Sequence, residues 1–212
     1  MKTKNNITLI LTTIITLLPV LPGVALYGSL PEQIPTHFNY TGEVDGYMPK
    51  NIVVFVLPVA LALLNAFVNF AIKTDPKRNN TNEIMVAIGK WIIPFASCIF
   101  MPISLLYGIG YEIPVNIIVQ GMVGILFILL GNYMPKIRQN YTVGIKLPWT
   151  LNDENNWHKT HRMAGVLYVV SGIALIASAF APAALKYTII VIIILCVSVP
   201  FIYSYLLYKK GN

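Results

Sequence analysis

The chain has 212 residues, of which 56% are hydrophobic and only 11% charged, with a formal net charge of +7. Soluble domains carry about 25% charged residues, so a mean hydropathy of +0.68 excludes an ordinary cytosolic globule and a disordered chain. What remains is a membrane protein, in which a positive excess reports topology rather than nucleic-acid binding.

A helix crossing the hydrocarbon needs about 20 mostly apolar residues. In chain order six stretches qualify: Ile7–Tyr27, Ile52–Ile72, Ile84–Tyr107, Pro114–Asn132, Met163–Ala181 and Tyr187–Tyr208. They are apolar all round, without the alternation of a barrel strand. The first follows Lys2 and Lys4 as a secretory signal would, but it exceeds the 7–15 residues of a signal core and holds Pro19 and Pro22, so it is expected to stay as a span. Cys98 and Cys196 both lie in apolar runs, which argues against a disulfide framework.

The basic residues set the orientation. Lys2, Lys4, Lys73, Lys77, Arg78, Lys136, Arg138, Lys146, Lys159, Arg162, Lys209 and Lys210 fall on one side of the six spans; Lys50 and Lys186 fall on the other, and Lys90 snorkels from the third span. The expectation is an all-α, polytopic bundle of six transmembrane helices with both termini cytoplasmic. It divides into residues 1–72, two helices joined by an acidic extracellular loop at 28–50, and residues 73–212, four helices with a basic cytoplasmic loop and interfacial helix at 133–162.

The outer loop is rich in turn signals. Pro31 and Pro35 limit helix, Thr41-Gly42 and Asp45-Gly46 favour turns, and Glu32, Glu43 and Asp45 make it acidic around His37. It reads either as a lid that contacts a ligand or peptide, or as a solvated connector. In the inner loop, Thr150 with Asp153 fits a capping box, with Asn152 as an alternative cap. An amphipathic helix over Asp153–Arg162 would lie on the inner surface and run into span five, with Trp149 and Trp157 in the headgroup zone.

That helix would place Glu154, His158 and His161 on one face. One carboxylate and two imidazoles suit zinc with an open position, but the H-x-x-H spacing lacks the catalytic Glu of a zinc protease. The competing reading is a polar interfacial helix with no metal. Within the spans, Thr12/Thr16, Asn65/Asn69 and Asn116/Gln120 pair at i, i+4 and suit interhelical hydrogen bonds more than a transport path, because no Asp, Glu or Arg lies deep in any span. The small residues Ala164, Ser171, Gly172, Ala174, Ala177, Ser178 and Ala181 favour close packing of span five. Prolines 58, 94, 102 and 200 mark kinks or interrupted ladders. No Walker loop, G-x-S-x-G elbow or zinc-protease motif is present.

The segment NYTVGIKLPWTLNDENNWHKTHRMAG, Asn140–Gly165, resembles the signature of the Sdp-type immunity protein family of Gram-positive bacteria: an Asn before a Gly-Ile-basic run, a Pro-Trp-Thr-Leu turn, then Trp and His entering a transmembrane helix. Leu30–Lys50, with its Pro, His-Phe-Asn, Gly, Asp-Gly-Tyr and Lys, resembles the small domain that often precedes it. The matching residues are His37, Asn39, Gly42, Asp45, Gly46 and Lys50 outside, next to the acidic Glu43. Inside they are Asn140, Gly144, Lys146, Pro148, Trp149, Thr150, Trp157, His158 and His161. The family often has Arg where this chain has Lys146, which weakens any bidentate contact there.

The resemblance implies a multi-pass protein of the bacterial plasma membrane, without enzymatic activity or cofactor, that protects its producer from a secreted antimicrobial peptide. It implies the toxic peptide and membrane lipid as partners. In some members a cytoplasmic transcriptional repressor is held at the membrane when toxin is bound; no direct nucleic-acid contact is expected. Sequestration of the peptide by the outer loop is the leading mechanism. The alternatives are a small-peptide or solute transporter, a membrane sensor or regulator without a toxin, and a membrane enzyme using Glu154, His158 and His161.

Overall fold

The computed structural model describes residues 2–77, 80 and 82–211. Arg78, counted above in the basic flank, lies outside the described residues, as do the side chains of Lys2 and Lys4. Among the described residues six helices are long and apolar enough to cross a membrane: Asn6–Ala25, Ile52–Thr74, Glu83–Gly108, Val115–Lys136, Glu154–Ser178 and Ala183–Lys209. Each expected span has its counterpart.

The first span is α1 (Lys2–Leu17) followed by the short α2 (Val20–Ala25). The break falls where Pro19 disfavours helical backbone at Leu18. Next comes the one departure from helix among the described residues that forms a sheet. Strands β1 (Gln33–Phe38) and β2 (Val44–Pro49) form an antiparallel hairpin in the segment read only as turn-rich. The second and third spans contain α3 (Leu57–Thr74) and α4 (Glu83–Gly108), and α4 runs through Pro94 and Pro102. The fourth is α5 (Val115–Tyr133). The short α6 (Pro148–Asn152) precedes α7 (Glu154–Ser178), and α8 (Pro182–Ile193) and α9 (Val199–Lys209) make the sixth.

Two wide π turns, Ile52–Val56 and Ile194–Ser198, precede α3 and α9. Each ends shortly before a proline, Pro58 or Pro200. In regular helix a proline lacks the N–H for the ladder, and its ring meets the carbonyl four residues back. The wider turn relieves that conflict.

The chain forms two compact units, residues 1–73 with 87–115, and residues 74–86 with 116–212. The division at 72/73 expected from sequence is therefore not the one seen, because most of α4 belongs with the first two spans. Its Met101 and Leu105 share a core with Leu30, Ile34, Val53 and Val54, and Gly108 lies beneath Pro31, Ile34 and Pro35 of the hairpin segment. The first unit also holds a buried polar seam. Asn65 Nδ2 donates to Thr12 Oγ1 (3.0 Å), Asn69 Nδ2 to the Asn65 carbonyl (2.9 Å), Thr16 to the Thr12 carbonyl (2.7 Å), and Ser97 to the Thr16 carbonyl (2.8 Å). The Thr12/Thr16 and Asn65/Asn69 pairs thus serve hydrogen bonding, worth about 0.6 kcal/mol per interhelical bond on average.

In the second unit the small residues of span five permit backbone approach. A Cβ on Gly131 would lie 2.6 Å from the Gly165 carbonyl oxygen, and one on Gly172 would lie 2.5 Å from that of Gly124. Leu175, Leu185, Ile192 and Cys196 form the core beside this contact. Ser178 Oγ lies 3.1 Å from Gln120 Oε1, which accounts for one member of the Asn116/Gln120 pair. Cys98 and Cys196 are both free thiols.

Candidate functional site

The hairpin gathers all seven outer candidates. Asn39 begins the turn: its Oδ1 accepts from the backbone N–H groups of Thr41 (2.9 Å) and Glu43 (3.0 Å), and its own N–H donates to the Glu43 carbonyl (2.8 Å). Gly42 has φ +92°, the left-handed conformation that a tight hairpin turn with a bulge requires. Asn39 Nδ2 donates to Glu43 Oε2 (3.0 Å), and the Thr41 hydroxyl lies 3.1 Å from the same oxygen and 2.5 Å from Asn39 Oδ1. These hydrogen bonds hold the exposed Glu43 carboxyl below the usual carboxylate range.

Further down the strands, His37 Nδ1 meets Asp45 Oδ1 at 2.5 Å, and Gly46 pairs with His37, where a Cβ would lie 2.8 Å from His37 Cβ. Lys50 closes the base. Its N–H donates to the Glu32 carbonyl (3.0 Å), and its Nζ pairs with Glu32 Oε1 (2.9 Å) and lies over the Tyr27 ring. Because Glu32 and Lys50 form a bonded pair, the register puts Gln33/Pro49 and Pro35/Tyr47 at the non-bonded positions. Pro35 and Pro49 therefore interrupt the outward edge of each strand and discourage addition of a further strand. The hairpin presents exposed side chains, among them Tyr40, Tyr47 and Met48.

The long loop between α5 and α7 is built the other way, with its polar groups inside. Asn140 is fully buried: its Oδ1 accepts from the N–H of Thr142 (2.9 Å) and Val143 (2.7 Å), and its Nδ2 donates to the Arg138 carbonyl (2.9 Å). Gly144 has φ +114°, and a Cβ there would lie 2.5 Å from His161 Nε2. Lys146 Nζ donates to the carbonyls of Tyr141 (3.2 Å) and Thr142 (3.1 Å). Pro148 starts α6, where its missing N–H is harmless. The Thr150 hydroxyl accepts from the Leu147 N–H (2.9 Å) and lies 2.8 Å from the Ile145 carbonyl.

The expected capping box does not form. Thr150 caps the short α6, and α7 is capped by Asp153, which accepts from the Asn155 N–H (2.8 Å). The helix expected over Asp153–Arg162 does run into span five. α7 starts at Glu154 and continues unbroken as span five, because the buried faces of Asn156, Trp157, Thr160 and His161 carry it straight on. Trp157 is fully buried within the protein, donating Nε1–H to the Ile137 carbonyl (2.8 Å). Trp149 is partly buried, donates to Ser204 Oγ (2.9 Å) and packs against Phe201, Tyr205 and Tyr208.

His161 stacks on Trp157 with centroids 4.0 Å apart. Its Nε2 accepts from the Ile145 N–H (2.8 Å) and its Nδ1 lies 2.8 Å from the Trp157 carbonyl, so these partners select the neutral Nδ1–H tautomer. Both nitrogens are engaged, while Glu154 and His158 are exposed. The Glu154/His158/His161 metal reading is therefore corrected: among the described residues no group of three such side chains could hold a metal ion.

Sequence reasoning missed Asp75 and Gln139. Asp75 is buried just after α3, and its carboxylate accepts from the Lys77 N–H (2.7 Å), the Tyr141 N–H (3.1 Å) and the Thr142 hydroxyl. Gln139 accepts from Lys77 Nζ (2.5 Å) and donates to the Thr150 carbonyl (3.0 Å). The available signal was an acidic residue directly after a span, in a flank otherwise read for its basic charge.

Residues 136–204 match the model of the SdpI/YfhL protein family, and residues 14–62 match a domain of unknown function, DUF1648. The chain is also 30% identical to Immunity protein SdpI of Bacillus subtilis (strain 168) over 211 residues, covering 99% of this chain and 98% of that one. The chain belongs to the SdpI/YfhL family. No solved structure matches it significantly. Like the family pattern that the sequence suggested, it is a multi-pass protein of the plasma membrane. The family match begins within the Asn140 loop's approach and takes in α6 to most of α9, while the match to the domain of unknown function contains the whole hairpin.

Proposed function

We propose that this chain is an immunity protein that binds a secreted toxic peptide at the membrane through its hairpin. The observation that carries the reading is the similarity, along nearly its whole length, to a protein named as an immunity protein. In this reading the basic flanks face the cytoplasm and the hairpin faces outward. The hairpin then meets the peptide with exposed tyrosines, Met48 and the carboxylates of Glu43 and Asp45. Apolar contact supplies most of the affinity, and the acidic groups speed the approach of a basic peptide. Lipid surrounds the spans, and no enzymatic step is needed.

The finer part of the proposal concerns the Asn140 loop. Its buried residues build a rigid block whose exposed members, Lys146, His158 and Arg162, form the face that a cytoplasmic repressor would touch when toxin is bound. The transport alternative would draw on Asn65 and Asn69, which are engaged with each other and with Thr12.

The test is survival. A Bacillus subtilis strain lacking its own Immunity protein SdpI, expressing this chain, is exposed to culture supernatant of the parent strain. Protection that is lost when Tyr40 and Tyr47 are both replaced by Ser, at unchanged membrane abundance, supports the proposal. Protection that persists in that variant removes the hairpin from the binding role, and no protection from the unaltered chain counts against immunity to that peptide.

A further inference from the structure

Two lysines far apart in the chain converge on one exposed tyrosine. Lys77 Nζ lies over the Tyr141 ring, 5.3 Å from its centroid, and donates to Gln139 Oε1 (2.5 Å). Lys146 Nζ, from the family-motif loop, donates to the carbonyls of Tyr141 (3.2 Å) and Thr142 (3.1 Å). The residues between them are held from below by the buried Asp75. Its carboxylate accepts from the Tyr141 N–H (3.1 Å), the Thr142 hydroxyl and the Lys77 N–H (2.7 Å). Asp75 thus takes donors of residues 141 and 142, while Lys146 takes their carbonyls. Both ammonium groups are therefore set in place before any ligand arrives, which lowers the ordering cost of binding one. An ammonium has three N–H groups. Among the described residues Lys77 uses one and Lys146 uses two, so three remain between them.

Paired cations with donors to spare suit the phosphate of an anionic headgroup. Their place in the chain favours a lipid as its source. Lys77 stands three residues beyond the span that ends at Thr74, and Tyr141 five beyond the span that ends at Lys136. Both segments leave the hydrocarbon at these points, so the cluster lies at the headgroup layer, where an exposed tyrosine is also favoured. Lys136 and Arg138, both exposed, add positive charge to the same stretch. We propose that Lys77, Tyr141 and Lys146 form a binding site for the headgroup of an anionic phospholipid. The two ammonium groups donate to the phosphate oxygens, and the tyrosine ring lies at the boundary between headgroup and acyl chain. The site needs only that the spans cross a bilayer, and does not rest on the proposed immunity.

The test uses the full chain purified in mild detergent and offered equal amounts of phosphatidylglycerol and phosphatidylcholine, with the retained lipid identified by native mass spectrometry. The unaltered chain should retain phosphatidylglycerol in preference by about tenfold, and the double variant Lys77→Gln/Lys146→Gln should lose that preference. Lys209→Gln/Lys210→Gln removes the same charge from the end of α9 and should leave the preference intact. No preference in the unaltered chain overturns the proposal. So does an equal loss in both double variants, which would assign the effect to diffuse basic charge. Release of the retained lipid by inorganic phosphate or by a polyglutamate peptide also overturns it, giving the lysines to a soluble anion or to an acidic protein segment. If Lys77→Gln/Lys146→Gln fails to fold, Lys146→Gln alone replaces it with the same outcomes, since Lys146 is exposed and its bonds are to carbonyls of its own loop. No toxin enters the test, so failure here leaves the immunity proposal to stand or fall on its own.

Discussion

Asn39 in the hairpin and Asn140 in the long loop do the same local work in opposite surroundings. Each turns its side-chain oxygen onto two backbone N–H groups just downstream, and each precedes a glycine of positive φ. Around Asn39 the bonds are exposed, so water stands ready to replace them. Around Asn140 the side chain is fully buried and its bonds are part-buried, so water replaces them far less readily. The difference teaches that a shared turn chemistry can build two kinds of loop: one that presents side chains outward for contact, and one that buries its polar groups to hold a fixed surface. Loss of a buried partner costs about 1–3 kcal/mol per stranded group, whereas an exposed bond contributes about 1 kcal/mol or less.

Substitutions should reveal this contrast in order of size. The largest effect is expected from Trp157→Ala, which empties a fully buried site and frees the Ile137 carbonyl; a loss of about 3–5 kcal/mol is expected, read by unfolding in mixed micelles. Asn140→Ala comes next, stranding two N–H groups at about 1–3 kcal/mol each, with faster exchange at Thr142 and Val143 as its signature. The matching change in the hairpin, Asn39→Ala, should cost only about 0.5–1.5 kcal/mol and leave the long loop unaffected. Equal losses from Asn39→Ala and Asn140→Ala would break the comparison.

The smallest effect concerns pH. Glu43 has its carboxyl held below the ordinary value by Asn39 and Thr41. Its contribution is therefore complete above the usual carboxylate pKa and fades as pH falls through the lowered one. Amide protection at Gly42 should decline on acidification in the unaltered chain and be insensitive to that step in Glu43→Gln. A decline of the same size in both would assign the acid response to another group.

The spans were legible because twenty-odd apolar residues leave a helix few alternatives, and the paired Thr and Asn positions could be read from helical spacing. The hairpin was not legible. β2 reads VDGYMP, without clean alternation, and its pairing with β1 depends on Ile34 finding a buried place beside Val53, Val54 and Leu105. Residues 153–162 read as the interfacial lead-in to a span beginning at Met163, because Asn156, Thr160 and His161 look like solvated residues; their tertiary partners are what bury them. Asp75 stood out locally only as an acidic residue after a span; its partners Tyr141 and Thr142, 66 and 67 residues away, lay beyond local reading. The close pairs Gly124/Gly172 and Gly131/Gly165 were half visible, because the small residues of span five pointed to packing but could not name the facing glycines.

The central claim is that the exposed hairpin, and not the buried-polar loop, faces arriving peptide. It is tested most directly by labelling single cysteines at positions 43 and 154, introduced after Cys98 and Cys196 are replaced by Ala, with a membrane-impermeant maleimide on intact cells. The account predicts that position 43 reacts at once and position 154 only after lysis; reaction at 154 on intact cells with 43 protected would contradict it.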